Sequence, residues 1–334
     1  MVHVIEGKVV GEIGFGLMSL MMQLTAANPP PVDETIKVMK AALDAGCNWW
    51  NGAEFYGPRE GYNSVALLHD YFQRYPEDAN KVLLTIKAQI FENFRLDSSP
   101  EAVKMCVDNC VAKLGRPGFI QQMGPGRKDR STPIEVTMAA YEEHVKAGRI
   151  GGVSLSECSA ETIRRAAKVA KVACLECELS LLNTEILENG VAAACAELGI
   201  PILAYSPVGR GLLTAQITSL DNIGVDDPRR QLPRFSPENI KNNLRLTRAL
   251  AKVAQRKGCT PAQLAINWVR SLSKRAGMPT IIPIPGTTKV ERVKENAKII
   301  DLTEDDMASI DTLLAEYPVV GDKYHKAGME LLDH

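Results

Sequence analysis

Residues 12–20 read "EIGFGLMSL". Two glycines one residue apart at the end of an apolar run look like the start of a G-x-G-x-x-G turn. In that turn a strand enters a helix over a pyrophosphate, which needs a third glycine and a helix opening on it. "GFGLMSL" has no third glycine and no helix start, and Ser19 stands where that glycine would be. A doubly wound dinucleotide-binding sheet is therefore disfavoured, although the chain does alternate.

Seven further apolar, β-branched runs follow: "CNWW" from Cys47, "KVLLTIK" from Lys81, "GFIQQM" from Gly118, "IGGVSLS" from Ile150, "ACLECEL" from Ala173, "PILAYSP" from Pro201 and "PTIIPIP" from Pro279. Between them lie helical patterns such as "DETIKVMKAALDAG", "EAVKMCVDNCVAKLG" and "IEVTMAAYEEHVKAG". Ser99-Pro100 and Thr260-Pro261 pair an N-cap with proline at the first helical position. Thr132 to Glu135 reads as a capping box. Eight strands alternating with helices, each connection long enough for a parallel crossover, predict an α/β fold, a (β/α)8 TIM barrel. "VIEGKVVG" at the start predicts an N-terminal β-hairpin under the barrel floor. Residues 1–334 fit one barrel domain. Two segments, 207–235 and the tail from Pro318, are long enough to fold over the C-terminal face.

Composition narrows the function. A formal net charge of −1 disfavours electrostatic binding to nucleic acid or acidic membranes. Five scattered histidines suggest no metal site, and the N-terminus has no apolar signal core, so a cytoplasmic protein is expected. Cys174 and Cys177 form a C-x-x-C, but on a strand residues three apart face opposite ways, so neither chelation nor a redox pair is expected. Cys106 and Cys110 read as small buried hydrophobes on one helix face.

In a barrel, chemistry sits just after each strand. After the second come Asn51, Glu54 and Tyr56 in "NWWNGAEFYG", and the third ends at Lys87. A cation beside a phenol stabilises its phenolate, so Tyr56 and Lys87 make a sensible acid/base couple. The plainer reading is a rim tyrosine and a snorkelling lysine. Trp49 and Trp50 are expected in the barrel wall and substrate rim. After the last strand, "GTTKVERVKEN" places Gly286, Thr287 and Thr288 before a helix, with Lys289 and Arg292 beside them. Thr288 and Glu291 read as a second capping box, and the helix start as an anion site. Ser206 and Arg210, in "AYSPVGRGLLT", are the other candidates for that site.

The segments "IGFGLM", "AALDAGCNWWNGAEFYG", "VLLTIK", "GRIGGVSLSE", "ILAYSPVGRGLLT" and "IPIPGTTKVERVKEN" occur in the order and near the spacing of aldo-keto reductases. The chain resembles that family over nearly its whole length, and most closely its fungal pyridoxal-reductase-like branch. The resemblance implies NADPH bound without a Rossmann domain. It puts Arg292 on the 2′-phosphate, Asn296 on the adenine and Tyr205 against the nicotinamide. Ser156, Glu157 and Glu176 fall on the carboxamide-binding positions, where the two glutamates replace amides. Of the family's Asp, Tyr, Lys and His, Tyr56 and Lys87 match, Asn51 stands at the Asp position and Gly126 at the His position. Asn51 offers Lys87 an acceptor without a charge. Two opposed effects on the Lys87–Tyr56 couple follow, and their net sign stays open at this level. Gly126 is expected to leave volume beside Tyr56 that admits a bulkier substrate. The readings are an NADPH-dependent reductase of pyridoxal or a similar small aromatic carbonyl, a biosynthetic enzyme of altered chemistry on the same scaffold (C=C or C=N reduction, or a non-redox dehydration, isomerisation or cyclisation), and a non-catalytic NADPH-binding subunit. A small-molecule substrate and a monomer are expected, with a homo-oligomer possible.

Overall fold

Glycine at 14 and 16 lets two stretches of backbone meet where a side chain would hold them apart. In the computed structural model, which describes residues 3–22, 30–115 and 120–333, Gly14 N donates to Pro283 O at 2.9 Å and Gly16 N to Pro285 O at 3.4 Å. These bonds join the two ends of an eight-stranded parallel sheet. A Cβ on residue 14 would lie 2.6 Å from Trp49 O, and one on residue 16 would lie 2.9 Å from Ile284 O. The two glycines thus bring the end strands of the sheet together and all but close the barrel.

Strands β1 (His3–Ile5) and β2 (Lys8–Val10) form the expected antiparallel hairpin. The barrel strands are β3 (Phe15–Gly16), β4 (Trp49–Ala53), β5 (Leu83–Ala88), β6 (Gln122–Pro125), β7 (Val153–Ser156), β8 (Val172–Glu178), β9 (Ile202–Tyr205) and β10 (Ile281–Pro283). They pair in sequence order. All eight expected strands are present. The first two residues expected for the fourth lie outside the described residues. The helices are α1 (Met18–Met21), α2 (Val32–Asp44), α3 (Ser64–Arg74), α4 (Pro100–Leu114), α5 (Ile134–Lys146), α6 (Ala160–Ala167), α7 (Val191–Leu198), α8 (Pro237–Lys257), α9 (Pro261–Ser271), α10 (Val290–Asn296), α11 (Glu304–Glu316) and α12 (Lys326–Glu330).

Two cores result from the period-2 alternation of the strands. Inside the barrel, Trp49, Leu83, Cys174, Leu203, Ile282 and Ile284 stack above Val10 of the hairpin. Between sheet and helices, Trp50 packs on Tyr71 and Phe72 of α3, and Cys177 belongs to the same layer. Cys174 and Cys177 therefore face opposite ways, as the strand period requires. Both tryptophans have 0% exposure. Their placement on a substrate rim is corrected: strand alternation points one into the sealed barrel interior and the other under a helix.

Ser99 and Thr260 cap α4 and α9 as expected, Thr260 with Gln263 in a reciprocal box. The box expected at Thr132 and Glu135 does not form. Thr132 Oγ1 donates to Asp129 Oδ2 at 2.9 Å, and Glu135 takes two bonds from Arg165 at 2.8 and 2.9 Å. Charged partners outcompete the neutral cap.

Gly14→Ala is expected to lower the urea midpoint by the equivalent of about 1–3 kcal/mol, because the added methyl overpacks the seam. Gly224→Ala, where nothing among the described residues lies within 4 Å of the new methyl, is the control and should stay within about 0.5 kcal/mol.

Candidate active site

Parallel strands bring their C-terminal ends to one mouth, and Asn51, Lys87, Ser156, Glu176 and Tyr205 are strand residues near that end. Lys87 lies at the centre of the cluster. Its Nζ donates to Asn51 Oδ1 and to Glu176 Oε2, both at 2.6 Å, with the Gly52 carbonyl 3.4 Å away. Burial works against its charge, but Glu176 and then Tyr56 outweigh it, so Lys87 is held above its ordinary value of 10.5. Tyr56 follows β4, and the Lys87 Nζ lies 5.1 Å from its ring centroid. Burial pushes the phenol above its ordinary value of 10.0; the Lys87 ammonium opposes this and Glu176 adds to it. For Lys87, the charge that Asn51 does not bring comes instead from Glu176. Glu54 turns away from the cluster to pair with Arg59 at 3.2 Å.

Gly126 does not leave an empty space. A Cβ there would lie 2.9 Å from Ile90 Cδ1 and 2.9 Å from two atoms of the Phe55 ring. The expectation of extra substrate volume is corrected: Phe55, which stands edge-on to Tyr56 at 5.3 Å, and Ile90 occupy it. The adjacent Arg127 folds back, donating to Gly126 O at 2.6 Å, to Ser156 Oγ at 3.3 Å and to Tyr324 Oη at 3.4 Å.

Of the two glutamates at the carboxamide-binding positions, Glu157 is committed to protein partners through both oxygens, which corrects its expected role, while Glu176 is committed through one. Glu157 Oε1 accepts from Glu178 N at 2.7 Å and from Tyr205 Oη at 2.8 Å, while Oε2 accepts from Lys323 at 2.9 Å. Glu176 gives one oxygen to Lys87 and keeps Oε1 buried without a partner among the described residues. Lys323 arrives from the C-terminal tail. Tyr324 beside it lies 2.9 Å, oxygen to oxygen, from Tyr205, and the Arg210 guanidinium lies 4.8 Å from its ring centroid. Further along, Asp333 accepts from Ser159 N and Oγ, each at 3.0 Å, and from Lys128 at 2.9 Å. The tail thus straps β6, β7 and β9 together at the mouth. Glu178 answers two arginines, Arg210 at 3.4 Å and Arg234 at 3.3 Å. Gln89, Glu157 and Ser206, each the residue after a barrel strand, have φ of 67°, 49° and 53°. Left-handed conformations at non-glycine residues concentrate where surrounding structure overrides local preference.

The turn after β10 sets Gly286, Thr287, Thr288 and Lys289 ahead of α10. The Thr288–Glu291 box does not form. Lys289 is the cap residue without a side-chain cap bond, and its own N–H donates to Thr287 Oγ1 at 3.2 Å. Lys289 and Arg292 are exposed, and Arg292 donates to Gln216 of the 207–235 segment at 3.3 Å. Asn296 ends the helix, half-buried. Two surface clefts, one under the hairpin at Asn48 and Lys81 and one between Lys40 and Lys294, contain none of these residues.

With the barrel and this mouth established, comparison with known proteins is decisive. The sequence profile described as the Aldo/keto reductase family matches residues 12–315. The chain belongs to that family. It is similar to "Probable pyridoxal reductase 2" of Schizosaccharomyces pombe, 33% identical over 97% of each chain. It is also similar to an aldo-keto reductase of Strobilurus tenacellus, 35% identical over 98% of this chain and 95% of the relative. The structure of a glycerol dehydrogenase from Gluconobacter oxydans has the same fold, with a TM-score of 0.83 over 96% of each chain at 21% identity. As an aldo/keto reductase the chain is an oxidoreductase acting on carbonyl groups, in a family that uses nicotinamide cofactors. Its residues fit such a group. Ser19 Oγ, beside Gly286, and Glu176 Oε1, on the strand next to Ser156, are buried polar atoms without partners among the described residues, and both can accept a hydrogen bond.

Sequence reading missed Phe55, Lys323 and Tyr324. A carboxylate at 157 that needs a cation, together with a basic tail "GDKYHK", was the available signal. The Glu157–Lys323 pair is buried. Glu157 is held below 4.5 and Lys323 above 10.5, in each case through their mutual attraction against the cost of burial. The carboxylate's contribution is present above its unfolded value and lost as pH falls through the folded one. The lysine's is present below its unfolded value and lost as pH rises through the folded one. Lys323→Met should destabilise by about 3–5 kcal/mol at pH 7 in urea unfolding, because it leaves a buried charge unanswered. Lys323→Met combined with Glu157→Gln should lose clearly less than that.

Proposed function

We propose that this aldo/keto reductase is an NADPH-dependent reductase of pyridoxal or a similar small aromatic aldehyde. The observation that carries the reading is the buried Tyr56–Lys87 couple at the barrel mouth. NADPH, when bound, supplies the hydride. Tyr56 gives its phenolic proton to the carbonyl oxygen as the alcohol forms, a general-acid contribution of about 10²–10⁴-fold. A phenol held above 10.0 by burial is protonated throughout the neutral range. Lys87, which carries its charge there too, stabilises the phenolate left behind. Asn51 fixes the lysine from one wall through its amide oxygen.

For the cofactor, Arg292 and Lys289, with Gly286, Thr287 and Thr288, would hold the 2′-phosphate, Asn296 the adenine, and Ser206 and Arg210 the pyrophosphate side. Ser156 and the unpaired oxygen of Glu176 would meet the carboxamide, and the Tyr205 ring the nicotinamide. Arg292 already bridges to Gln216, so the 207–235 segment would lie over the cofactor. The protein would act as a cytoplasmic monomer with a single barrel domain.

A second reading, altered chemistry such as C=C or C=N reduction or a non-redox step, is favoured by one observation. Phe55 and Ile90 fill the space at Gly126, leaving no imidazole there to polarise a carbonyl.

With NADPH and pyridoxal, Tyr56→Phe should reduce kcat by about 10²-fold or more. Wild-type kcat should stay flat from pH 6 to 9 and decline only above the ordinary tyrosine range near 10. Equal rates for the two proteins, or a decline centred near neutrality, would contradict the role given to Tyr56.

A further inference from the structure

Lys87 is enclosed, with 7% of its side chain exposed. An ammonium so placed needs an answering anion or it loses its proton. Asn51 brings an oxygen but no charge. Among the described residues, Glu176 is the one carboxylate within 4.0 Å of Lys87 Nζ. It comes from β8, three strands along the barrel wall from the lysine's own β5, and spans the interior to close at 2.6 Å. The other titratable groups around the lysine are Tyr56 after β4 and Cys174 on β8, while Arg127 after β6 acts on Tyr56.

We propose that Glu176 is the positioning carboxylate of the active-site lysine: it supplies, from β8, the negative charge that an amide at position 51 cannot. The proposal rests on the reading of Tyr56 and Lys87 as acid and partner. It differs from a role for Glu176 in cofactor binding alone, because it makes the charge on residue 176 a determinant of the lysine's protonation and aim.

Two orphaned atoms support an exchange of roles between the two walls. Among the described residues, Asn51 Nδ2 and Glu176 Oε1 are both buried without partners, in residues 3% and 1% exposed. The amide and the carboxylate each give one oxygen to Lys87 and keep one polar atom in reserve. The reserve atom on β4 is a donor, and the reserve atom on β8 is an acceptor. The isosteric exchange N51D/E176Q would keep the charge beside Lys87 and reverse both reserve atoms. It therefore separates the service to the lysine from any service to a ligand.

The test follows the Lys87 13Cε resonance in protein labelled with 13C-lysine, assigned by its absence in K87M, for wild type, E176Q and N51D/E176Q. Wild-type Lys87 should stay protonated to at least pH 10. E176Q should lower its titration midpoint by a unit or more, and the exchange should restore it. In parallel, kcat for pyridoxal reduction should fall at least tenfold in E176Q, with its alkaline limb moved to lower pH. The exchange should recover kcat and the limb, while KM, which reflects the reserve atoms, should not return fully. An unmoved midpoint in E176Q, or a midpoint left low in the exchange, overturns the proposal. Should E176Q fail to fold, wild type against the exchange decides by the same criterion. If wild type leaves pyridoxal unreduced, the substrate reading fails on its own and the resonance titration still decides Glu176.

Discussion

A positive charge buried in a sheet must be answered by its neighbours, and the barrel mouth is organised around that requirement. Lys87 is fixed on β5, and its three donors can reach only what the neighbouring walls present. One wall offers the neutral amide of Asn51, and another the carboxylate of Glu176. Those contacts keep the ammonium charged, and the ammonium in turn acts on Tyr56. The same constraint appears a second time, with the signs reversed, at Glu157. There a buried carboxylate is answered by Lys323 of the tail, and the tail is thereby held across the mouth. Two buried charges and their partners link β5, β7, β8 and the C-terminal segment.

Local patterns that the barrel only repeats were legible in sequence. The strands, the hairpin and the Ser99 and Thr260 caps depend on neighbours a few residues away, so periodicity and spacing carried them. The first glycines were legible only by what they failed to be. Their physical use, close approach of β3 to β10, involves residues about 270 positions apart in sequence and has no local signature. Thr132 and Glu135 show the opposite failure. The capping pattern is present, but Asp129 and Arg165 offer stronger, charge-assisted partners. Trp49 and Trp50 were placed by proximity to Asn51, whereas strand alternation buries one inside the barrel and the other under α3.

At the site, family resemblance located Asn51, Tyr56, Lys87 and Gly126 but could not describe what surrounds them. The meaning of a glycine depends on the side chain that fills its place, and Phe55 lies just before Tyr56 rather than near residue 126 in sequence. The glutamates at 157 and 176 looked like substituted amides. Only three-dimensional pairing shows that each holds a lysine, one of them from the far end of the chain. The left-handed residues Gln89, Glu157 and Ser206 are likewise invisible to propensity, since each is imposed by the turn out of a barrel strand.

The proposed reaction at this mouth reduces a carbonyl with hydride from a nicotinamide and a proton from Tyr56. The most direct measurement uses NADPH carrying deuterium at both positions of the nicotinamide C4, with pyridoxal as substrate and mass spectrometry of the product. That reaction yields pyridoxine with one deuterium on the former aldehyde carbon, formed in step with NADPH consumed. Product without deuterium, or bound NADPH that is never oxidised, would contradict it.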